Sequence, residues 1–276
     1  MKRIVTAAIG LAISAAIAAQ GVTESRAWTE NFPVSGSEPL LKISNIWGTV
    51  RVRPGPDGQI SITVDEKRTA PDQERFERSL QLLSLDIETS ADEVSIIVGE
   101  QTRQWWRMNP CSGCRVDYQF DVTVPEGTRL ELGTVLDGAI DVNGVAGTVS
   151  ASNVNGPIKV RKASGCESLE SVNGELDVSF EQAPSGDCDI ETINGDITLA
   201  IPNGSGLDVA LDQFNGRMVS EFDVNPFSIP AIVEHESDAD GHRYRIQQSA
   251  GLRLDGGGPM FSISSLNGDV RIRKTQ

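Results

Sequence analysis

The sequence is poor in the groups from which most catalytic and metal centres are built. It holds two histidines, His235 and His242, and four cysteines among 276 residues. A zinc site needs about four nitrogen or sulfur ligands. The histidines lie far along the chain from Cys111, Cys114, Cys166 and Cys188, so neither a metal nor another cofactor is expected. Neither histidine has an evident nucleophile partner, and no Gly-x-Ser-x-Gly element or phosphate loop occurs. Cationic side chains are scarce as well: 24 Lys and Arg stand against 39 Asp and Glu, a formal charge of -15. An acidic surface of this kind repels nucleic acid and anionic lipid, so neither is expected as a partner. Beyond the N-terminus there is no long apolar run, which argues against membrane insertion.

What is present at the start of the chain points to export. Lys2 and Arg3 precede an uncharged, Ala- and Ile-rich run from Ile4 to Ala19. Two small-residue cleavage sites follow, Ala16-Ile17-Ala18 and Ser25-Arg26-Ala27 before Trp28. That is the layout of a secretory signal peptide. The run is shorter than the ~20 residues a spanning helix needs, and no cysteine follows it closely enough to carry a lipid anchor. The expected organisation is a signal peptide over residues 1–27 and a mature β-strand-repeat domain over 28–276, in the periplasm, outside the cell or on its surface. In that setting the four cysteines read first as disulfides. Cys111-Ser-Gly-Cys114 also has the spacing of a redox pair, but lacks the βαβ surroundings such a motif uses.

Self-similarity is the strongest signal. Asn155-Gly156, Asn173-Gly174, Asn194-Gly195, Asn215-Gly216 and Asn267-Gly268 each sit in a Ser/Thr-x-Asn-Gly-like unit followed by alternating apolar residues, and looser copies contain Gly138 and Gly48. From Gly138 the glycines recur at 156, 174, 195 and 216, spacings of 18, 18, 21 and 21; Gly268 follows after 52. A near-constant period of this size marks a solenoid or a strand array. Asn-Gly is also a strong hairpin signal. In a two-residue hairpin, however, Val172 would pair with Glu175 and Leu176 would point away. Placing Val172 with Leu176, Ile193 with Ile197, Val154 with Ile158 and Leu266 with Val270 in one interior instead makes Asn-Gly a corner.

The expected fold is therefore all-β, a single-stranded β-helix with Asn-Gly corners, stacked Asn side chains and Gly relieving the φ at each bend. An antiparallel meander or sandwich is the alternative. Core repeats cover about 130–220, with a final repeat at 261–273. In-register stacking brings Cys166 and Cys188 to one end of neighbouring strands, within the Cα separation a disulfide requires.

Ahead of the repeat, Leu40 to Val64 alternates as strands broken at Pro54-Gly-Pro-Asp-Gly58. Ala70 to Leu83 is the one expected helix, with Pro71 at its start. Leu85 to Val98 and Val116 to Val124 return to strand alternation, and Ile232 to Ile246 reads as a hairpin. Glu236-Ser-Asp-Ala-Asp240-Gly241 has the acid spacing of a calcium loop, but Gln247 stands where the bidentate Glu belongs. Trp105 and Trp106 beside Cys111 are either a recognition patch or a cap over an open core end.

The strand ending Val124-Pro-Glu-Gly-Thr-Arg-Leu130, followed by Ser/Thr-x-Asn-Gly-Asp/Glu-apolar-x-apolar units, resembles the bacterial putative-adhesin family of β-strand-repeat proteins, a domain of unknown function. The resemblance is strongest over 116–219 and 261–272. It implies a β-helix-like exported protein that contacts a protein, glycan or envelope component, and it carries no catalytic residues. Two other classes remain open: a polysaccharide-active β-helix enzyme, with Glu175 and Asp196 as turn carboxylates on stacked corners, and a periplasmic accessory of an envelope stress or sensing system.

Overall fold

A computed structural model describes residues 21–99, 111–230, 232–238, 241–247 and 250–275. Ahead of the repeat come β1 (Val22–Pro33), β2 (Leu40–Ser44), β3 (Val50–Pro54), β4 (Gln59–Ala70), helix α1 (Gln73–Leu82), β5 (Leu85–Thr89), β6 (Glu93–Val98) and β7 (Arg115–Val124). The repeat supplies β8 (Arg129–Thr134), β9 (Ile140–Asn143), β10 (Thr148–Asn155), β11 (Ile158–Ala163), β12 (Gly165–Asn173), β13 (Leu176–Phe180), β14 (Cys188–Asn194), β15 (Ile197–Ile201), β16 (Leu207–Asn215) and β17 (Met218–Ser220). The chain ends with β18 (Val224–Ser228), β19 (Ile232–Asp238), β20 (Gly241–Gln247), β21 (Ala250–Leu254), β22 (Met260–Asn267) and β23 (Val270–Lys274).

Strand alternation sorts these residues onto two large mixed sheets that share one core. One sheet has the order β1-β4-β7-β3-β9-β11-β13-β15-β23-β17, the other β18-β21-β16-β22-β14-β12-β10-β8-β2-β6-β5. From the first, Ile140, Ile158, Leu176, Ile197 and Val270 point inward and are buried; from the second, Leu132, Leu169, Ile190, Phe261 and Val209 do the same. Each Asn-Gly carries the chain from a strand of the second sheet to one of the first, as from β12 to β13. We call each such strand–corner–strand unit a rung. Successive rungs pair in parallel: Leu169 lies opposite Ile190 and Leu176 opposite Ile197.

The closed single-stranded β-helix is not what forms. The sheets are open and sandwich-like, because only one side of each rung has a regular corner. The return paths differ in length, a single residue between β11 and β12 but residues 181–187 between β13 and β14, so among the described residues these returns build no sheet of their own. The parallel ladders also end in antiparallel strands: β4 and β1 beyond β7, and β21 and β18 beyond β16. Nor is the order of rungs the order of the sequence. The last rung, β22–β23, wedges between β14–β15 and β16–β17, which accounts for the long gap before Gly268.

Helix α1 starts two residues later than a Pro71 start implies. Asp72 is the N-cap and its side chain accepts from the Arg75 amide at 2.8 Å, the preferred use of Asp at this position. The other end is held by a residue to which the sequence gives no clue. Arg68 on β4, 1% exposed, donates to the Ser79 and Leu83 carbonyls, to Tyr118 Oη and to Glu66. It thus adds a charged donor to carbonyls at the helix end, where Ser79 O also accepts from the Leu83 amide and Leu83 O from Tyr118 Oη. Burial pushes the Tyr118 phenol well above its ordinary range, and the Glu66 charge adds to this. The expected 232–246 hairpin is present as antiparallel β19 and β20; its acidic tip at 239–240 lies outside the described residues.

Both expected disulfides are present, Cys111–Cys114 and Cys166–Cys188, each with Cα atoms 5.4 Å apart. The second staples the β12 and β14 rungs across a sequence separation of 22. Chain-entropy arguments put a closure of that length at about 3 kcal/mol. A Cys166→Ala/Cys188→Ala variant should lose about that much in guanidinium unfolding, while Cys111→Ser/Cys114→Ser, which opens a much shorter loop, should lose less. Equal losses would show that the staple does not act through chain closure.

Candidate functional site: the Asn-Gly corner and its apolar row

The corner is built on backbone contact. A Cβ placed on Gly174 would lie 2.0 Å from the Gly156 carbonyl oxygen, and one on Gly195 would lie 2.1 Å from that of Gly174. Gly138, Gly156, Gly216 and Gly268 meet their neighbours at 1.9–2.0 Å in the same way. Side chains are excluded there because rung packs on rung glycine to glycine, so close approach rather than relief of φ is the shared requirement.

Hydrogen bonds then zip the corners together. The Gly174 amide donates to the Asn194 carbonyl at 3.0 Å, and the Gly195 amide to that of Asn267 at 2.9 Å. Running the other way, Asn173 Nδ2 donates to Asn155 Oδ1 (3.0 Å), Asn194 to Asn173 (2.8 Å), Asn267 to Asn194 (2.8 Å) and Asn215 to Asn267 (2.9 Å). The expected Asn stack is thus a continuous amide ladder over five rungs.

The position before each Asn is where the sequence expectation fails. Val154, Val172, Ile193 and Leu266 do not share the interior with Ile158, Leu176, Ile197 and Val270. They point outward with 36–46% of their surface exposed, whereas the partners after the corner are at most 1% exposed. The inward place belongs to the residue two before Asn, which is polar: Asn153, Ser171, Thr192 and Ser265 are all buried. Asn153, Ser171 and Thr192 reach the glycine carbonyl of an adjacent rung, Ser171 at 3.4 Å, whereas among the described residues the buried Ser265 hydroxyl finds no hydrogen-bond partner. Asn153 Nδ2 donates to Gly138 O at 2.9 Å, Thr192 Oγ1 to Gly174 O at 3.1 Å and Gln213 Nε2 to Gly268 O at 2.8 Å. A buried hydroxyl or amide costs about 1–3 kcal/mol without such a partner, so the glycine carbonyls stabilise the inner row at the rungs where a side chain reaches them.

The consequence on the outside is a straight apolar row. In register across the second sheet stand Val135, Val154, Val172, Ile193, Leu266 and Phe214, with Phe214 78% exposed. Single exposed apolar residues need no explanation, but a contiguous set does. Beside it runs a second outward row, Ser152, Glu170, Glu191, Ser264 and Asp212. On the far side of the corner Asp196 accepts from Arg271 and from the Asp269 amide, which holds its carboxyl below the ordinary range. Asp269 in turn pairs with Arg217 and Arg271. Asp196 is thereby tied into an ion-pair network instead of being poised with Glu175 as an acid–base couple.

Trp105 and Trp106 lie outside the described residues. Cys111, which follows in the sequence, is described: its Sγ lies 3.2 Å from the Arg75 carbonyl of α1. Among the described residues no group of three or more His, Cys, Asp or Glu is placed to hold a metal ion, and no helix is long and apolar enough to cross a membrane.

These features define an all-β, two-sheet repeat protein stapled by a disulfide. A scan of protein-family models and a search of curated proteins gave no match. Among solved structures the chain is similar to a putative cell adhesion protein from Clostridium sporogenes, with 10% identity, a TM-score of 0.45, and coverage of 91% of this chain and 100% of that one. It is also similar to a putative adhesin from Bacteroides fragilis, with 10% identity, a TM-score of 0.38, and coverage of 91% and 97%.

The corner yields a paired prediction. Gly195→Ala should destabilise the protein by more than about 2 kcal/mol, because the contact is to backbone that cannot move aside. Asn194→Ala removes two exposed side-chain hydrogen bonds and should cost about 1 kcal/mol. Thermal unfolding of the two variants checks the order; a harmless Gly195→Ala would refute glycine-on-glycine packing.

Proposed function

We propose that this chain is an exported, non-enzymatic binding protein of the cell envelope or cell surface, working as an adhesin or scaffold. The apolar row of the second sheet carries the reading. It is regular, exposed and backed by a hydrogen-bonded corner, so a partner would meet a surface that is ordered before contact. The succession of strand, Asn-Gly corner and strand supports counting each rung as one coil of a β-helix-like stack, which would make the row extendable by repeat addition. The ion-paired state of Asp196 speaks against the polysaccharide-cleaving alternative.

Export rests on the leader-like N-terminus and on two disulfides, which form and persist in oxidising compartments. Between the two cleavage sites, strand β1 supports the earlier one. Val22 through Pro33 pairs residue by residue with Ala70 through Gln59 on β4, and Arg26 donates to buried Glu66. Cleavage after Ala27 would remove half of that strand and leave Glu66 without one of its two arginine partners. N-terminal sequencing of the exported protein should therefore begin at Ala19; a start at Trp28 would show that β1 is dispensable in its first half.

Binding is tested with the mature protein immobilised and exposed to envelope extract. An envelope component should be retained, and lost when Val172, Ile193 and Leu266 are replaced together by Thr, which keeps strand propensity. A Trp105→Ala/Trp106→Ala variant tests the aromatic pair separately, and loss of the partner in that variant alone would move the site to the loop. Release of new reducing ends from envelope polysaccharide by the wild-type chain would replace binding with catalysis.

A further inference from the structure

We infer that the apolar row is the docking site for a basic amphipathic α-helix of a partner protein, an inference that rests on the binding role proposed above. Charge comes first. Glu170, Glu191 and Asp212 flank the row on the sheet side and Glu175 on the corner side, and none of the four makes an ion pair among the described residues. Arg217 and Arg271, beyond the corner, are already engaged by Asp269 and Asp196. A second copy of this chain would bring like-charged rows together, which costs affinity. A partner with Lys or Arg on both sides of an apolar stripe would complete the pairing and gain rate from electrostatic steering.

Spacing decides between strand and helix. Neighbouring strands lie about 4.8 Å apart, so six in-register side chains from Val135 to Phe214 span about 24 Å in a line. An extended strand laid along that line presents same-face side chains every ~6.7 Å and drifts by about 2 Å per step. A helix returns to the same face every ~5.4 Å, a mismatch of about 0.6 Å, and covers the row with roughly 16 residues. Anchors at i, i+3/i+4 and i+7 are the usual helix-in-groove pattern. Phe214, the most exposed member, closes one end of the row and supplies the aromatic anchor such interfaces use.

The probe is a synthetic 18-residue helix with Leu along one face and Lys on both flanks, titrated into the mature protein by fluorescence anisotropy. Three comparisons accompany it: the same helix with Glu for Lys, a scrambled peptide of equal composition, and the Val172→Thr/Ile193→Thr/Leu266→Thr protein, its fold confirmed by circular dichroism and unchanged unfolding cooperativity. The Lys helix should bind, and should weaken by at least about tenfold on the triple variant. Its salt dependence should shrink when Glu170, Glu191 and Asp212 become Gln, Gln and Asn. No binding by the Lys helix, or equal binding by the scrambled peptide or by the triple variant, would overturn the proposal. A concentration-dependent dimer of the wild type that the triple variant abolishes would also overturn it, assigning the row to self-association. If an envelope component is lost on the triple variant yet not displaced by the Lys helix, the helix partner falls and the binding face stands; if neither depends on the row, both fall.

Discussion

The contact of one corner glycine with the carbonyl of the next is the constraint from which most of this structure follows. Because a Cβ would sit about 2 Å from backbone oxygen at every corner, the rungs approach at full β-sheet closeness even where the chain turns. The bend leaves glycine carbonyls facing inward at that point, and a buried acceptor needs a donor. Asn153, Thr192 and Gln213 provide it at three corners, each from the position two before its own corner asparagine. Outside, the same closeness puts consecutive Asn amides within bonding distance of one another. One packing rule thus accounts for an inner polar row, an outer amide ladder and the spacing of both.

It also accounts for an inversion that hydropathy alone misreads. At the corner the buried position is polar and the exposed one is apolar, because alternation is fixed by the strand that enters the bend. Counting forward from Leu169 puts Ser171 inside and Val172 outside; counting forward from Ile190 does the same for Thr192 and Ile193. That parity was available in the sequence. What obscured it was the expectation that Val belongs inside and Ser outside, and the sequence does not announce that a glycine carbonyl waits in the core for the hydroxyl.

Other features differed in how local their causes are. The Asn-Gly corners, the Cys166–Cys188 staple and the 232–246 hairpin depend on near neighbours or on a regular period, and the residues spell them out. The wedging of the last rung between its two predecessors depends on which pairing partner is available at the end of the stack, a choice between nearly identical strands. Period alone could therefore flag a break before Gly268 but not its resolution. Arg68 is a further case: an arginine in an alternating strand reads as solvent-facing, and its burial is made favourable by partners that include distant ones, the Tyr118 hydroxyl and the α1 carbonyls docked over β4, beside Glu66 on its own strand. The closed helix was expected because a regular corner suggests regular returns, and the irregular paths from one sheet back to the other prevent it.

The two outward rows acquire their significance from this frame. A flexible surface can adjust its apolar groups to many partners, whereas here six side chains are held on parallel strands whose separation the glycine corners do not let vary. Rigidity of that kind lowers the ordering cost of association and converts spacing into a selection rule, since a ligand whose own period differs by 2 Å per step falls out of phase within two or three residues. Neighbouring carboxylates add a second filter by sign. The corner that stabilises the fold and the face that would choose a partner are therefore one device: the residues that satisfy the interior are the reason the apolar ones stand outside in line.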